Sequence, residues 1–294
     1  MTRSAGVATL HAWLGFGLAT LCSCFSAFAQ NVETVHFESG DGKTQLVAYL
    51  YTPALPGPHP AVVALHGRTG LYSTRAAGRY EAGTLAPQKK MWGEYWASRG
   101  YAVLFVDTFG PRGYPQGFAA GTIRNRPTEI NEITIRPLDA YAGLKYLRSR
   151  ADVIGDQIFL QGWSNGGSAT LSSMEKRAPG IAAANPATGF RAAISMYPAC
   201  TQVQDHYGTS YRSYAPVLLL IGSADEEVRP ASCENLAAVA KANGSLLDFV
   251  LYPGAQHSYD TPVPARQGHA PNVEAAADTL RRAEMFFQQQ RPPR

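Results

Sequence analysis

No apolar run in these 294 residues is long and unbroken enough for a stable membrane span. Metal motifs are missing too, since the chain has neither an H-E-x-x-H nor a C-x-x-C pair. Charge is sparse and nearly balanced, with 26 Lys and Arg against 22 Asp and Glu. The densest basic runs are the doublets Lys89-Lys90 and Arg281-Arg282, so nothing argues for a nucleic-acid partner. There is no G-x-G-x-x-G after a strand and no P-loop, and no cofactor is implied. No internal repeat is evident, which excludes solenoids and propellers.

Cysteine is scarce as well, at four residues, and two of them fall in an N-terminal segment that reads as a leader. Arg3 supplies a positive start, Leu10 to Leu21 is mostly apolar, and Ser26-Ala27-Phe28-Ala29 offers an A-x-A cleavage site. The expectation is a signal peptide over residues 1–29 and export to the periplasm or the medium. A lipoprotein reading would instead acylate Cys24. The residues from 30 to 294 then suit one domain of α/β type. Cys200 and Cys233 remain as an even pair in an oxidising compartment, which suggests a disulfide. Cys200 follows the strand Ala192 to Tyr197 and Cys233 follows a later loop, so both approach one sheet edge. The alternative is two buried free thiols.

The expected elements alternate. Thr34 to Glu38 and Gln45 to Tyr51 flank Ser39-Gly40-Asp41-Gly42, which reads as a hairpin turn. Then come strand Ala61 to Leu65, helix Met91 to Ser98, strand Tyr101 to Val106, helix Arg136 to Ser149 and strand Gln157 to Gln161. Near-continuous apolar strands between helices predict a mostly parallel sheet with helices on both faces. The last helix, Val273 to Gln290, has Asn272 as a candidate N-cap.

Directly after Gln157 to Gln161 stands Gly162-Trp163-Ser164-Asn165-Gly166-Gly167. This is the G-x-S-x-G pattern of a nucleophile elbow. The chain must reverse sharply to lift the serine Oγ above the sheet, and glycine is needed where neighbouring elements crowd in. Ser168 to Arg177 is compatible with the helix that should follow. The N–H of Asn165 would then point at a developing oxyanion.

On such a fold the acid follows the serine and the histidine comes last. Strand Pro216 to Gly222 ends in Ser223-Ala224-Asp225-Glu226-Glu227, and strand Leu247 to Tyr252 ends in Pro253-Gly254-Ala255-Gln256-His257. Asp225 and His257 therefore lie just past strand ends, where open α/β sheets place their sites. Asp225 could merely cap the helix that begins near Val228, and Glu226 or Glu227 could be the acid. His206 is out of order for the base, and His269 has no strand directly before it. His66, at the end of Ala61 to Leu65, reads as a histidine that shapes the oxyanion loop. In that loop, His66-Gly67-Arg68-Thr69-Gly70, the backbone N–H of Arg68 is the expected second oxyanion donor, with Thr69 as rival.

Two long connections, Leu71 to Gln88 and Gly110 to Thr134, leave strand ends on the same edge and are expected to wall the pocket. Tyr72, Trp92, Phe109 and Trp163 are candidate walls, against the plainer reading of ordinary packing. Arg112 either fixes the Pro111-Gly113 turn or binds a substrate carboxylate. With Arg75, Arg79, Arg124 and Arg126 nearby, the loops suggest an arginine-rimmed pocket for small esters.

These elements occur in order: Ala61 to Gly70, Gly100 to Asp107 followed by Thr108-Phe109-Gly110-Pro111-Arg112-Gly113, the elbow, Gly222 to Asp225, and Pro253 to His257. Together they resemble the dienelactone hydrolase family of α/β-hydrolases, over roughly residues 34 to 290. The Phe-Gly-Pro-Arg-Gly run is the more specific part. The resemblance implies an α/β-hydrolase fold and a hydrolase, but the family's nucleophile is a cysteine and here the position holds Ser164. A dienelactone substrate is therefore not implied. Trp163 before the nucleophile also resembles secreted polyester- and lipid-ester-cleaving enzymes. The expectation is a serine hydrolase acting on a small carboxylic ester or lactone through an acyl-enzyme. A peptidase of the same fold, or a binding protein that kept the fold without catalysis, are the alternatives.

Overall fold

A computed structural model describes residues 1–2 and 32–292. The expected signal peptide, apart from Met1 and Thr2, lies outside the described residues. Eight strands form one sheet. They are β1 (Val32–Glu38), β2 (Gln45–Tyr51), β3 (His59–Leu65), β4 (Ala102–Asp107), β5 (Val153–Trp163), β6 (Ala193–Met196), β7 (Val217–Gly222) and β8 (Leu247–Tyr252). The order across the sheet is β1-β2-β4-β3-β5-β6-β7-β8. β1 pairs antiparallel with β2, and β2 with β4; every other pairing is parallel. This is the α/β-hydrolase architecture.

The helices are α1 (Pro87–Ser98), α2 (Arg136–Arg148), α3 (Asn165–Met174), α4 (Cys200–Tyr207), α5 (Pro230–Ala242), the short α6 (Pro264–Gln267) and α7 (Ala270–Gln289). They cover both faces of the sheet, and strand alternation puts α2 on one face and α1 and α7 on the other. Gly143 of α2 sits so close to Val63, Leu104 and Val106 that an added Cβ would touch all three. Phe105, one residue out of phase with Leu104 and Val106, points the other way. It stacks on Trp163, while Phe159 stacks on Phe287 of α7, which also stacks on Trp96 of α1. Hence β3, β4 and β7 are buried along their whole lengths, as the unbroken apolar runs required.

Three helix boundaries differ from the sequence reading, each for a local reason. α1 begins at Pro87 rather than Met91, because proline's fixed φ and missing N–H suit the first turn. α3 begins at Asn165 rather than Ser168, so the helix follows the turn without a linker. α7 begins at Ala270 with proline in its first turn, so Asn272 is inside the helix and is not its cap. Its buried amide instead takes the N–H of Gln256 at 2.8 Å and donates to Gln256 Oε1 at 3.0 Å. Those bonds hold the loop that carries His257.

Register brings the strand ends together. Leu65 pairs with Gly162, so the loop after β3 continues beside the turn after β5. Gly222 pairs with Tyr252, so the loops after β7 and β8 also run side by side. The sheet order reverses between β3 and β5, and the crevice outside their carboxyl ends is where open α/β sheets place a site.

Candidate active site

Ser164 sits in that crevice at φ 54° and ψ −119°, a conformation sparsely populated by L-residues. Its surroundings enforce the strain. A Cβ on Gly162 would come within 2.2 Å of the Gly166 carbonyl oxygen, and one on Gly166 within 2.0 Å of that of Leu65. Glycine at both positions is therefore a steric requirement of the turn. The Ser164 N–H donates to Met196 O at 2.9 Å, tying the turn to the next strand.

Ser164 Oγ lies 3.0 Å from His257 Nε2, and His257 Nδ1 lies 2.8 Å from Asp225 Oδ2. The other oxygen of Asp225 accepts the N–H groups of Glu227 and Val228, each at 2.9 Å. It therefore shapes the loop ahead of α5 rather than capping the helix. Its neighbours have other partners. Glu226 accepts the His257 N–H at 2.9 Å and Arg266 at 2.6 Å. Burial opposes its ionisation, but these bonds outweigh it and hold the carboxyl below its ordinary range. Glu227 takes two bonds from Arg68, which lower its pKa, and its Oε2 stands 3.8 Å from His257 Nε2. The other histidines are elsewhere: His269 bonds the Gly254 carbonyl, and His206 packs on Tyr207 in α4.

The Arg68 loop also packs against the elbow, with a Cβ on Gly67 only 3.3 Å from Ser164 Cβ. Among the described residues, neither the Arg68 N–H nor the Asn165 N–H has a protein acceptor. His66 acts on the first of these through its peptide. Its Nε2 accepts the backbone N–H of Thr108 at 3.2 Å, so Nε2 carries no proton and Nδ1 does. Nδ1–H then donates to Gly67 O at 2.8 Å. That carbonyl and the Arg68 N–H are the two ends of one planar peptide. Arg136 fixes the preceding carbonyl, donating to His66 O at 2.6 Å. Burial foremost, and then the charge of Arg136, push the pKa of His66 well below its ordinary value, so the ring is neutral.

The cleft over Ser164 is a cavity of about 60 Å³. Trp163 lines it, together with Gln88, Lys89, Tyr197 and Glu227. The other expected walls belong to different clusters. Tyr72 bonds Tyr49 and Asp107 in the core. Trp92 is fully buried and donates to Asp260. Phe109 is buried edge-on against His66. Arg112 donates from both terminal nitrogens to Thr108 O, Asp139 and Asp41, so it fixes its turn and is turned away from the cleft over Ser164, whose lining does not include it. For Tyr72, Trp92 and Arg112 a buried polar partner outcompeted the pocket. Arg126 is likewise taken by Glu132 and by the Asn165 side chain. Arg75 and Arg79 line a separate cavity of about 490 Å³. Roomier than the cleft, this cavity and a third of about 370 Å³ beside Leu138 and Tyr141 hold none of Ser164, His257 and Asp225.

Beneath the cleft lies Asp260, three residues past His257 and buried. It accepts Trp92 Nε1 at 2.7 Å, Trp163 Nε1 at 3.2 Å, Gln88 Nε2 at 2.8 Å and Tyr197 Oη at 2.6 Å. Tyr197 in turn meets the His257 ring edge-on at 4.8 Å. Sequence reading missed this hub and the cleft residues Gln88 and Lys89. A signal existed: with the helix begun at Pro87, Lys89 falls on one stripe with Trp92, Gly93 and Trp96.

Cys200 and Cys233 are bonded, S–S 1.97 Å, joining α4 to α5. No group of three or more potential metal ligands occurs among the described residues, and no described helix is long and apolar enough to cross a membrane.

The dienelactone hydrolase family profile matches residues 46–291. The chain belongs to the dienelactone hydrolase family. It is thus an enzyme, a hydrolase of the esterase class. Solved structures of similar fold agree with the architecture. A dienelactone hydrolase-like promiscuous phosphotriesterase from metagenomic libraries superposes with TM-score 0.62 at 16% identity, over 89% of this chain and 98% of that one. Thermogutta terrifontis esterase 2 phosphorylated by paraoxon gives 0.61 at 19% identity, over 90% and 96%. The same esterase with propionate bound gives 0.56 at 20%, over 87% and 95%.

Proposed function

We propose that this family member is an exported serine esterase that cleaves small carboxylic esters or lactones through an acyl-enzyme. The observation that carries the reading is the unbroken relay Asp225–His257–Ser164, at 2.8 and 3.0 Å, beneath two N–H groups with no protein acceptor among the described residues. His257 takes the proton of Ser164 as the hydroxyl attacks the carbonyl. The tetrahedral oxyanion rests on the N–H groups of Asn165 and Arg68, which are held in place before the reaction begins. His66 draws on the carbonyl end of the Gly67–Arg68 peptide and so strengthens the donor at its other end. His257 returns its proton to the leaving alkoxide, and water then releases the acyl group by the same steps.

Export through a leader over residues 1–29, with a single domain from 30 to 294, is part of the reading; the bonded cysteines support it. The organophosphate adducts and turnover described for the fold relatives suggest that Ser164 is also open to phosphorus electrophiles.

The test is a fluorophosphonate probe with mass-spectrometric mapping. Label on Ser164, lost together with p-nitrophenyl acetate hydrolysis in Ser164→Ala, is the expected result. Hydrolysis retained by Ser164→Ala overturns the assignment.

A further inference from the structure

The sequence looked to the arginines of the two long connections for a cation at the pocket, yet beside Arg68, which Glu227 grips, the cleft holds a lysine. Lys89 is only 4% exposed and lines the cleft with Ser164 and His257. Its ammonium lies over the ring of Trp163, 5.1 Å from the centroid. Of its three N–H donors, one goes to Gln88 Oε1. Among the described residues the other two have no acceptor. The Gln88 amide cannot turn round, because its nitrogen faces the Asp260 carboxylate and Tyr197 Oη. A buried ammonium with two idle donors is costly unless something satisfies them.

We propose that Lys89 is a specificity-determining residue whose free N–H groups bind an oxygen of the substrate other than the scissile carbonyl. The inference rests on the esterase reading and narrows its substrate to esters that carry a second oxygen function close to the reacting bond. A site built to hydrogen-bond a substrate oxygen discriminates strongly against the analogue that lacks it, because the site's own donors are then stranded. The hub beneath holds the donor in place. Asp260 fixes Gln88, Tyr197 and Trp163, and through Gln88 it orients Lys89. The charged groups that face the ammonium are Asp260 on the loop after β8 and Arg136 on α2, with neutral His66 on the loop after β3. Glu227 and His257 share the cleft. Burial foremost lowers the Lys89 pKa to about 8, partly offset by Asp260.

Two substrate pairs matched in shape test the proposal: p-nitrophenyl methoxyacetate against p-nitrophenyl butyrate, and 2-methoxyethyl acetate against butyl acetate. In Lys89→Met, the kcat/KM ratio of oxygen-bearing ester to its methylene twin should fall about ten-fold or more from wild type in at least one pair. Fluorophosphonate labelling of Ser164 should persist in the variant. Loss of labelling in wild type would strike at the nucleophile and not at Lys89. Ratios unchanged in both pairs, in a folded variant that still labels, overturn the proposal. Should the variant not fold, the wild-type ratios serve: they should decline between about pH 7 and pH 10 as the ammonium loses its proton. Ratios flat across that range overturn it equally.

Discussion

The guanidinium of Arg68 grips the carboxylate of Glu227 with two bonds, 2.9 Å from Nε and 2.7 Å from Nη2, at the edge of the cleft that holds Ser164. One partner's backbone belongs to the loop after β3 that packs on Ser164, and the other's carboxylate stands 3.8 Å from His257 Nε2. The pair therefore acts on the His257 ring electrostatically from the side opposite Asp225. The bonds from Arg68 keep Glu227 ionised well into the acidic range. A carboxylate near an imidazole favours the protonated ring. Glu227→Gln, which removes that negative charge, should therefore move the acid limb of the kcat/KM profile to lower pH. Arg68→Ala, which keeps the backbone donor but removes the opposing cation, should move it to higher pH. Shifts of one sign in both variants, or none in either, would contradict this account.

Asp225 and His257 should behave as one unit with Ser164. Loss of either is expected to cost on the order of 10⁴-fold in kcat, with the double loss strongly non-additive. The comparison that decides is Asp225→Asn beside Glu226→Gln. The second carboxylate bonds the His257 backbone and Arg266, not the ring. A severe effect at Glu226 with a mild one at Asp225 would reassign the acid.

His66 is expected to matter through the peptide it holds. Removing one oxyanion donor costs about 10²- to 10³-fold, and loosening one should cost less. His66→Phe keeps an aromatic ring against Phe109 but loses the bonds to Gly67 O and Thr108. We expect kcat to fall at least about ten-fold with KM little changed, the pattern of an interaction made only in the transition state. A KM effect with kcat intact would mean that His66 only shapes the binding surface.

The Cys200–Cys233 bond spans a sequence separation of 33 residues. In the chain-entropy model such a loop contributes about 3–4 kcal/mol. Reduction should lower Tm by roughly 6–12 °C for a domain of this size. Thiol titration of the unreduced, denatured chain should find neither of these two cysteines free. A Tm unchanged by reduction would show that the bridge adds nothing to the fold.

What was legible in the sequence follows from locality. The sharp turn at Ser164 and the strand ends that carry Asp225 and His257 are written in contiguous residues, because tight turns and buried parallel strands constrain composition directly. Which of the two readings held for Arg112 and Tyr72, packing or pocket, was not legible. Their partners, Asp139, Asp41, Asp107 and Tyr49, lie far away in the chain, and only packing brings them together. Lys89 shows the reverse error. It read only as half of a basic doublet with Lys90, yet the helix turns one lysine into the cleft and leaves the other to bond Gly83 O at the surface. Glycine at positions 162 and 166 marked a crowded turn, but no pattern in the chain marked Asp260, whose four donors come from three separate segments.

Chain length of the acyl group is the last quantity that the site dictates. The cavity at Ser164 is about 60 Å³, far below the roughly 300–1,000 Å³ of pockets that enclose drug-sized ligands. Its mouth is bordered by Arg68 and Glu227, and its interior holds the Lys89 ammonium, so an aliphatic tail would have to displace ionic partners to enter. Nor do the two long connections carry an apolar stretch that could lift as an interfacial lid. A p-nitrophenyl butyrate to palmitate ratio of kcat/KM well above one is therefore expected, with no activation at an oil–water interface. A ratio below one together with interfacial activation would mean that the cleft opens onto a hydrophobic tunnel, and the esterase would then be a lipase.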